Sequence, residues 1–147
     1  MEKCFVMLKP GVINRRIAGE IISRLERKGL RLIGIKMMVI SGELAAKHYQ
    51  EHNGKSFYDY LISYITSGPV IVMVWAADDC IMLIRKLVGT TAVQDAVPGT
   101  IRGDFCLHTP HNIIHASDSP ESGERETALF FRPEEIIPWT DELAQWF

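Results

Sequence analysis

The chain has 147 residues, of which 47% are hydrophobic and 23% are charged, a mixture typical of globular proteins that excludes an intrinsically disordered chain. A length near 150 residues predicts a single domain, residues 1–147. Sixteen Lys and Arg against eighteen Asp and Glu give a net charge of −2. Net charge alone therefore predicts no binding to duplex nucleic acid or to an anionic membrane.

The three cysteines, Cys4, Cys80 and Cys106, are an odd number, and no two of them have the C-x-x-C spacing of a metal or redox site. Cys4 and Cys80 lie in apolar stretches, which predicts buried free thiols and a reducing, cytoplasmic environment.

Neither a signal peptide nor a membrane span is expected. The first apolar stretch is short and ends at Lys9-Pro10. The uncharged stretch 60–77 is interrupted at Thr66-Ser67-Gly68-Pro69, so what remains is shorter than the ~20 residues that a span needs.

Residues 1–88 show an alternation of strand and helix patterns. The hydrophobic pattern predicts strands over 3–9, 30–40 and 70–77, and helices over 17–28, 41–52, 56–66 and 78–88. Three residues that favour N-caps precede the later helices: Ser41, Ser56 and Asp78.

The remaining chain begins with residues 89–103, which have no clear period and which we predict to be a functional loop. A short apolar strand follows at 112–115, and a helix is predicted from Ser117-Asp118-Ser119-Pro120 to about Ala128. Residues 129–131 are a short apolar segment, and 133–147 are a docked tail. Two β-α-β units of this kind predict a layered α/β sandwich.

His115 is the strongest candidate for chemistry. It ends an apolar strand pattern, and a helix N-terminus, which binds phosphate through free N–H groups, follows at once. A histidine at such a place can act as a nucleophile or general base. The alternative is a core histidine hydrogen-bonded to Ser117 or to a carboxylate.

His48 and His52 are four residues apart on a predicted helix, which is a possible metal pair. No third ligand completes a recognised spacing, so the sequence favours a solvated helix face.

Lys9, Arg85 and Arg102 are candidate phosphate ligands. Lys9 directly follows a predicted strand, and Arg102 lies in the Gly- and Thr-rich segment, where guanidinium and hydroxyl groups could bind phosphate oxygens. No Walker-type G-x-x-x-x-G-K-[ST] loop occurs. The alternative for each arginine is a surface salt bridge.

Among the aromatic residues, Phe57 and Tyr49 could face a ligand, and Phe57 at a helix start could stack a base. The residue pattern alone favours a packed core face made of Phe57, Tyr60, Leu61 and Tyr64.

Together these segments resemble the nucleoside diphosphate kinase family over nearly the whole chain. The most specific match is residues 112–120, N-I-I-H-A-S-D-S-P, to the signature N-x-x-H-[GA]-S-D. Supporting matches are Gly19-Glu20-Ile21, His48-Tyr49, Ser67-Gly68-Pro69-Val70 and residues 98–105.

The resemblance implies a ferredoxin-like βαββαβ sandwich with a four-stranded antiparallel sheet. It implies that a γ-phosphate passes from a nucleoside triphosphate, typically ATP, to a nucleoside diphosphate through a phosphohistidine on His115, with little base specificity. The other implied site residues are Lys9 and Asn112 at the ribose and phosphates, Tyr49 beside the transferred phosphate, Phe57 on the base, Arg85, Thr91 and Arg102 on the phosphates, and Ser117 and Glu126 bracing the histidine.

The resemblance also implies Mg²⁺ carried by the nucleotide phosphates rather than by protein side chains. The implied partners are nucleoside di- and triphosphates and further copies of the chain, in a tetramer or hexamer. No membrane and no specific nucleic acid are expected.

Three segments depart from the family pattern: Lys9-Pro10-Gly11-Val12 replaces K-P-D-G, Gly89-Thr90-Thr91-Ala92-Val93 replaces G-x-T-[ND]-P, and Glu51 replaces a common Asp.

Two other functions compete with catalysis: a nucleotide or single-strand binding module on the same fold, and a histidine phospho-carrier that serves protein partners. The full set of matching site residues favours the enzyme.

Overall fold

The structure, a computed structural model, describes residues 1–147. Its strands are β1 (Glu2–Leu8), β2 (Arg31–Val39), β3 (Pro69–Ala77) and β4 (Ile114–Ala116). Its α-helices are α1 (Ala18–Arg27), α2 (Gly42–His48), α3 (Tyr58–Ile65), α4 (Cys80–Val88), α5 (Ile101–Phe105) and α6 (Pro120–Phe130). Short 3₁₀ segments cover Gln50–His52, Val93–Asp95, Thr109–His111, Pro133–Glu135 and Ala144–Trp146.

The four strands form one sheet in the order β2-β3-β1-β4, and every neighbouring pair is antiparallel. This is the predicted ferredoxin-like arrangement, with α2 and α3 inserted between β2 and β3. The central strand β1 is covered on both faces, which explains why its apolar residues are consecutive rather than alternating.

Alternate residues of β1 enter two separate cores. Val6 and Leu8 pack in the core beneath α1 and α4, whereas Phe5 and Met7 pack in the core beneath α2, α3 and α6. The free thiols of Cys4 and Cys80 are buried, as predicted.

Some of the predicted N-cap residues are confirmed by the structure, and others are wrong. Ser41 caps α2 by accepting a 3.1 Å hydrogen bond from the Leu44 N–H, and Ser119 caps α6. Ser56 and Asp78 are not caps: α3 begins after Phe57, and α4 begins after Asp79, which has a φ of 54°. Neither of these two helices has a side-chain cap.

The glycine-rich segment contains a helix that the sequence pattern missed. Thr100 caps α5 by accepting a 3.0 Å hydrogen bond from the Gly103 N–H. A Cβ on Gly103 would overlap the Val97 carbonyl, so the turn closes only around glycine. With five residues, α5 is too short to show an amphipathic period.

The C-terminal segment, predicted as a docked tail, bonds to the free edge of β2 through Ile137 and Trp139. The Ile137 N–H donates to the Ile33 carbonyl, and the Trp139 indole N–H donates to the Leu32 carbonyl, both at 2.8 Å. The predicted separate apolar segment 129–131 is wrong for its first two residues, because α6 continues to Phe130. None of the helices combines the length and the apolar character needed to cross a membrane.

Candidate active site

The predicted site residues converge on one cavity of about 330 Å³. All of them except Ser117 line it: Lys9, Tyr49, Phe57, Arg85, Thr91, Arg102, Asn112, His115 and Glu126. A larger cavity of about 650 Å³ lies under the C-terminal segment, and none of the predicted residues lines it. The smaller, more polar cavity is therefore the candidate active site.

A chain of hydrogen bonds orients His115 from behind. Its Nε2 lies 2.5 Å from Oε2 of Glu126, and the Ser117 hydroxyl donates to Oε1 of the same carboxylate at 2.6 Å. The Ser117 oxygen in turn accepts a 3.0 Å hydrogen bond from the Phe5 N–H in β1. The sheet backbone thus fixes the carboxylate, and the carboxylate fixes the ring.

The charge of Glu126 determines which ring nitrogen is free. Burial raises the pKa of this carboxyl, but the hydrogen bonds from His115 and Ser117 outweigh burial and bring the pKa below its ordinary value. An ionised carboxylate accepts a hydrogen bond, so the proton of the neutral imidazole lies on Nε2. Nδ1 then keeps its lone pair, as a nucleophile requires.

Lys9 lies in the cavity as a buried cation. Its side chain donates to Oδ1 of Asn112 at 2.7 Å, and its backbone N–H donates to the Ile113 carbonyl at 2.8 Å. Burial, together with the charge of Arg102, lowers the pKa of Lys9 to about 8. A cation held out of water in this way gains free energy when an anion reaches it.

Strained backbone separates Asn112 from β4. Ile113 has a φ of 60°, a left-handed conformation that is an outlier for a β-branched residue. Its side chain is buried in the core, and its carbonyl accepts from Lys9. Packing and this hydrogen bond hold the strained turn, which brings Asn112 and His115 to the same cavity.

Arg102 is held entirely by backbone carbonyls. Its guanidinium donates to Asn112 at 3.3 Å, to Gly89 at 3.2 Å and to Ile114 at 2.6 Å. Burial, with a smaller contribution from Arg85, lowers its pKa to about 10. The surface salt bridge that was the alternative for this residue is therefore wrong.

Arg85 makes one long hydrogen bond, 3.3 Å to the Ala116 carbonyl. Neither Arg85 nor Arg102 nor Lys9 belongs to an ion pair. Three cations without carboxylate partners around one cavity make it an anion-binding site.

Two of the segments that depart from the family pattern have a defined place in the structure. Thr91 lines the cavity, whereas the Thr90 hydroxyl donates to the Ala92 carbonyl at 2.9 Å and lies outside it. At the other departure, Val12 is fully buried in the core, and Gly11 supplies the turn with a φ of 98°.

The aromatic residues do not form the packed core face that their spacing predicted. Phe57 is 46% exposed and Tyr60 is 41% exposed. Phe57 lies at the cavity wall, where its ring can meet a planar ligand. Tyr49 is buried in the same wall, and burial raises the pKa of its phenol, which stays a neutral hydrogen-bonding group.

His48 is the residue that sequence reasoning missed. It was expected on a solvated face, but its side chain is only 2% exposed, and its ring lies edge-on to His115 with a 4.9 Å centroid separation. Burial, with the neighbouring His115, lowers its pKa to about 3, so it is neutral. The sequence signal that could have indicated its burial is the three-residue spacing from Ala45, which places both residues on the same, buried face of α2.

Comparisons with known proteins agree with this geometry. The sequence profile of the family "Nucleoside diphosphate kinase" matches residues 2–136. Nucleoside diphosphate kinases from Bacillus licheniformis and Methanothermobacter thermautotrophicus are 53% and 59% identical, over 99% and 95% of this chain and 99% and 93% of their own lengths. The structure of the Halobacterium salinarum enzyme in complex with CDP has a TM-score of 0.95 at 48% identity, covering 99% of this chain and 97% of that one.

Similarity of this extent, combined with the fold and the anion-binding cavity, defines a nucleotide-dependent phosphotransferase. The chain belongs to the nucleoside diphosphate kinase family, as its resemblance predicted. It binds nucleotides and transfers the γ-phosphate of a nucleoside triphosphate to a nucleoside diphosphate, and as a kinase of this family it works with a divalent metal ion.

Proposed function

We propose that His115 accepts the phosphate on Nδ1 and that the reaction is ping-pong. The observation that carries this proposal is the hydrogen bond that the Nε2–H of His115 donates to Glu126, which leaves Nδ1 as the ring nitrogen with a free lone pair. The fixed ring needs no reorientation before it attacks, which lowers the entropic part of the barrier.

In the first half-reaction the Nδ1 lone pair forms the new N–P bond, and the bond from the γ-phosphorus to the bridging oxygen breaks. That oxygen leaves with the nucleoside diphosphate. The ring keeps its Nε2 proton and becomes a phosphorylated imidazolium, whose positive charge faces Glu126. In the second half-reaction a terminal phosphate oxygen of another diphosphate attacks the same phosphorus, and the neutral ring returns.

Lys9, Arg85 and Arg102 bind the polyphosphate and stabilise the charge on the transferring group. Thr91, Asn112 and Tyr49 contribute hydrogen-bonding groups around the ribose and phosphates. Asn112 is oriented for this role by its contact with Lys9.

Phe57 stacks the base. Its exposed ring at the cavity wall supports this role, and stacking accepts any base because every base has a π face. Low base specificity follows.

Mg²⁺ is the divalent ion that we propose, bound to the nucleotide phosphates. The cavity fits a metal carried in this way, because four cations line it. Of its carboxylates, Glu126 is bonded to His115, and Glu51 and Asp118 alone do not make a cage for Mg²⁺. When bound with the nucleotide, Mg²⁺ neutralises part of the phosphate charge.

We further propose a single domain over residues 1–147, a cytoplasmic location and a homo-oligomer, either a tetramer or a hexamer. The two buried free thiols support a reducing compartment. The apolar residues Ile35, Met37 and Val39 are exposed on the uncovered half of the edge strand β2, which supports an interface with a second copy.

A trapping experiment separates the enzyme from its two alternatives. The protein is incubated with Mg²⁺ and a γ-labelled nucleoside triphosphate, freed of nucleotide, and then given an unlabelled diphosphate of another base. We expect an acid-labile label on the chain that moves to the added diphosphate, and no label on the His115→Gln variant. A binding module would take no label, and a phospho-carrier for proteins would keep its label when the diphosphate is added.

A further inference from the structure

Three potential metal ligands meet in the wall of the catalytic cavity. His48 at the end of α2, His115 in β4 and Glu126 in α6 each offer one ligand atom, and these atoms lie within 4.8 Å of one another. Oε2 of Glu126 is 2.5 Å from the His115 Nε2 and 3.9 Å from the His48 Nδ1. Two imidazole nitrogens and one carboxylate oxygen are a donor set that Zn²⁺ and similar transition metals prefer.

The Nδ1 atom of His48 is a second, independent observation. It is buried and has no hydrogen-bond partner, although nearly all buried polar side-chain atoms in proteins have one. Glu126 is the carboxylate of the cluster, and its other oxygen, Oε1, accepts a hydrogen bond from Ser117. Such an outer hydrogen bond orients a carboxylate that binds a metal.

We propose that His48, His115 and Glu126 form a site for a transition-metal dication of the Zn²⁺ class, and that the bound metal inhibits phosphoryl transfer. The inhibitory part rests on the function proposed above, in which His115 attacks through Nδ1.

The inhibition follows from the proton on the His115 ring. A metal can bind Nε2 only through a lone pair, so the Nε2 proton moves to Nδ1, and the ring stays neutral as its other tautomer. Nδ1 then carries the proton and has no lone pair for the γ-phosphorus. The hydrogen bond from Nε2 to Glu126 opens at the same time, because a metal–nitrogen bond of about 2.0–2.1 Å replaces it.

The charges around the site make binding reversible. Four cations, Lys9, Arg85, Arg102 and Arg125, line the same cavity, against two carboxylates outside the cluster, Glu51 and Asp118. The net repulsion lowers the affinity for a dication. Mg²⁺ does not compete for this site, since it prefers octahedral oxygen ligands.

Direct binding tests the site without any nucleotide. Co²⁺ is added to the full-length, nucleotide-free enzyme, and the visible absorption of four-coordinate Co²⁺ is followed and then reversed with Zn²⁺. We expect one ion per chain in the wild type and in H108Q, whose exposed histidine lies outside the cluster. H48Q should bind more than about tenfold more weakly. Equal binding by H48Q, or no binding by the wild type, would overturn the proposal.

A measurement on the wild type avoids any effect of the variant on folding. One equivalent of Zn²⁺ should shift the imidazole NMR signals of His48 and His115 and leave those of His108 in place. Unmoved His48 signals would also overturn the site.

Phosphoenzyme formation tests the inhibition. With one equivalent of Zn²⁺ added before Mg²⁺ and labelled ATP, labelling should slow about tenfold or more in the wild type and change by less than about twofold in H48Q, each relative to its own metal-free rate. Equal slowing of both proteins would contradict inhibition through this site. A wild-type enzyme that takes no label even without Zn²⁺ would instead contradict the proposed function.

Discussion

Three of the cations that line the catalytic cavity, Lys9, Arg85 and Arg102, are held in different ways, and each arrangement has its own consequence. Lys9 is buried and bonded to one amide oxygen, Arg102 is buried and bonded to three carbonyls, and Arg85 makes a single long bond. Charge is common to all three, but only Arg102 also connects separate segments of backbone.

Lys9 should impose a basic limb on the pH profile. Its pKa is lowered to about 8, so it is charged below that pH and loses its attraction for phosphate above it. We expect kcat/KM to fall as the pH rises through about 8. Lys9→Arg keeps a charged group at all these pH values, so this variant should lose the limb even if its maximum rate is lower. A basic limb that persists in the Lys9→Arg variant would come from the titration of another group and would contradict this assignment.

Arg102→Ala and Arg85→Ala form a matched pair. Both should raise KM for polyphosphates and lower kcat, because each removes a cation from the transferring phosphate. Arg102→Ala should also lower the free energy of unfolding by about 1–3 kcal/mol, since it removes the donor of the buried hydrogen bond to the Ile114 carbonyl and of the partly buried one to the Gly89 carbonyl. Arg85→Ala should change it far less. Denaturant unfolding beside steady-state kinetics measures both effects, and equal stability losses would contradict the distinction.

At this scale the sequence could predict which residues matter but not what they contact. His115 is recognisable because its strand pattern meets a helix start within a few residues. The bond between Lys9 and Asn112 joins residues 103 positions apart, and no local pattern encodes such a pair. His48 was misjudged for the same reason, because its burial depends on α6 and β4 packing against α2.

Among the secondary-structure elements, α6 packs closely against β1 and carries Glu126 to His115. A Cβ on Gly123 would overlap the Lys3 carbonyl of β1, so the helix backbone lies directly on the strand. Glu126 follows three residues later, on the same side of the helix.

Gly123→Ala should therefore destabilise the protein although alanine favours helices. The overlap should cost about 1–3 kcal/mol of unfolding free energy and slow phosphorylation of His115 by moving Glu126. Gly19→Ala in α1 is the control: no atom lies within 4 Å of its new Cβ, and stability should stay the same or rise by up to about 1 kcal/mol. Thermal unfolding measures the stability of both variants. A Gly123→Ala protein as stable as the Gly19→Ala protein would contradict this packing.

The sequence predicted elements well where burial is periodic. The buried strands and α1 were recognised because their apolar residues repeat over several turns or run without interruption. The helix α5 was missed because it has five residues and glycine inside it. The start of α4 was placed too early because the left-handed Asp79 delays the helix, and side-chain polarity alone does not show this.

For the whole molecule, the open edge of β2 is an exposed apolar surface. The C-terminal segment bonds to Leu32 and Ile33, but Met37 and Val39 beyond it are 67% and 66% exposed. Apolar side chains on a free strand edge favour pairing with another chain.

A Met37→Lys and Val39→Lys double variant should assemble less than the wild type. Charges opposed across a paired edge repel each other and cost desolvation. Light scattering should give a smaller mass for the variant than for the wild type at the same concentration. A wild type that is monomeric, or a variant with unchanged mass, would contradict an interface at this edge.

The most direct test of the catalytic account is to identify which nitrogen of His115 carries the phosphate. The enzyme is phosphorylated with a nucleoside triphosphate and Mg²⁺, and nitrogen–phosphorus NMR couplings distinguish phosphate on Nδ1 from phosphate on Nε2. The bond between Nε2 and Glu126 predicts phosphate on Nδ1 of His115, with Nε2 still protonated. Phosphate on Nε2, or on any other residue, would contradict the account.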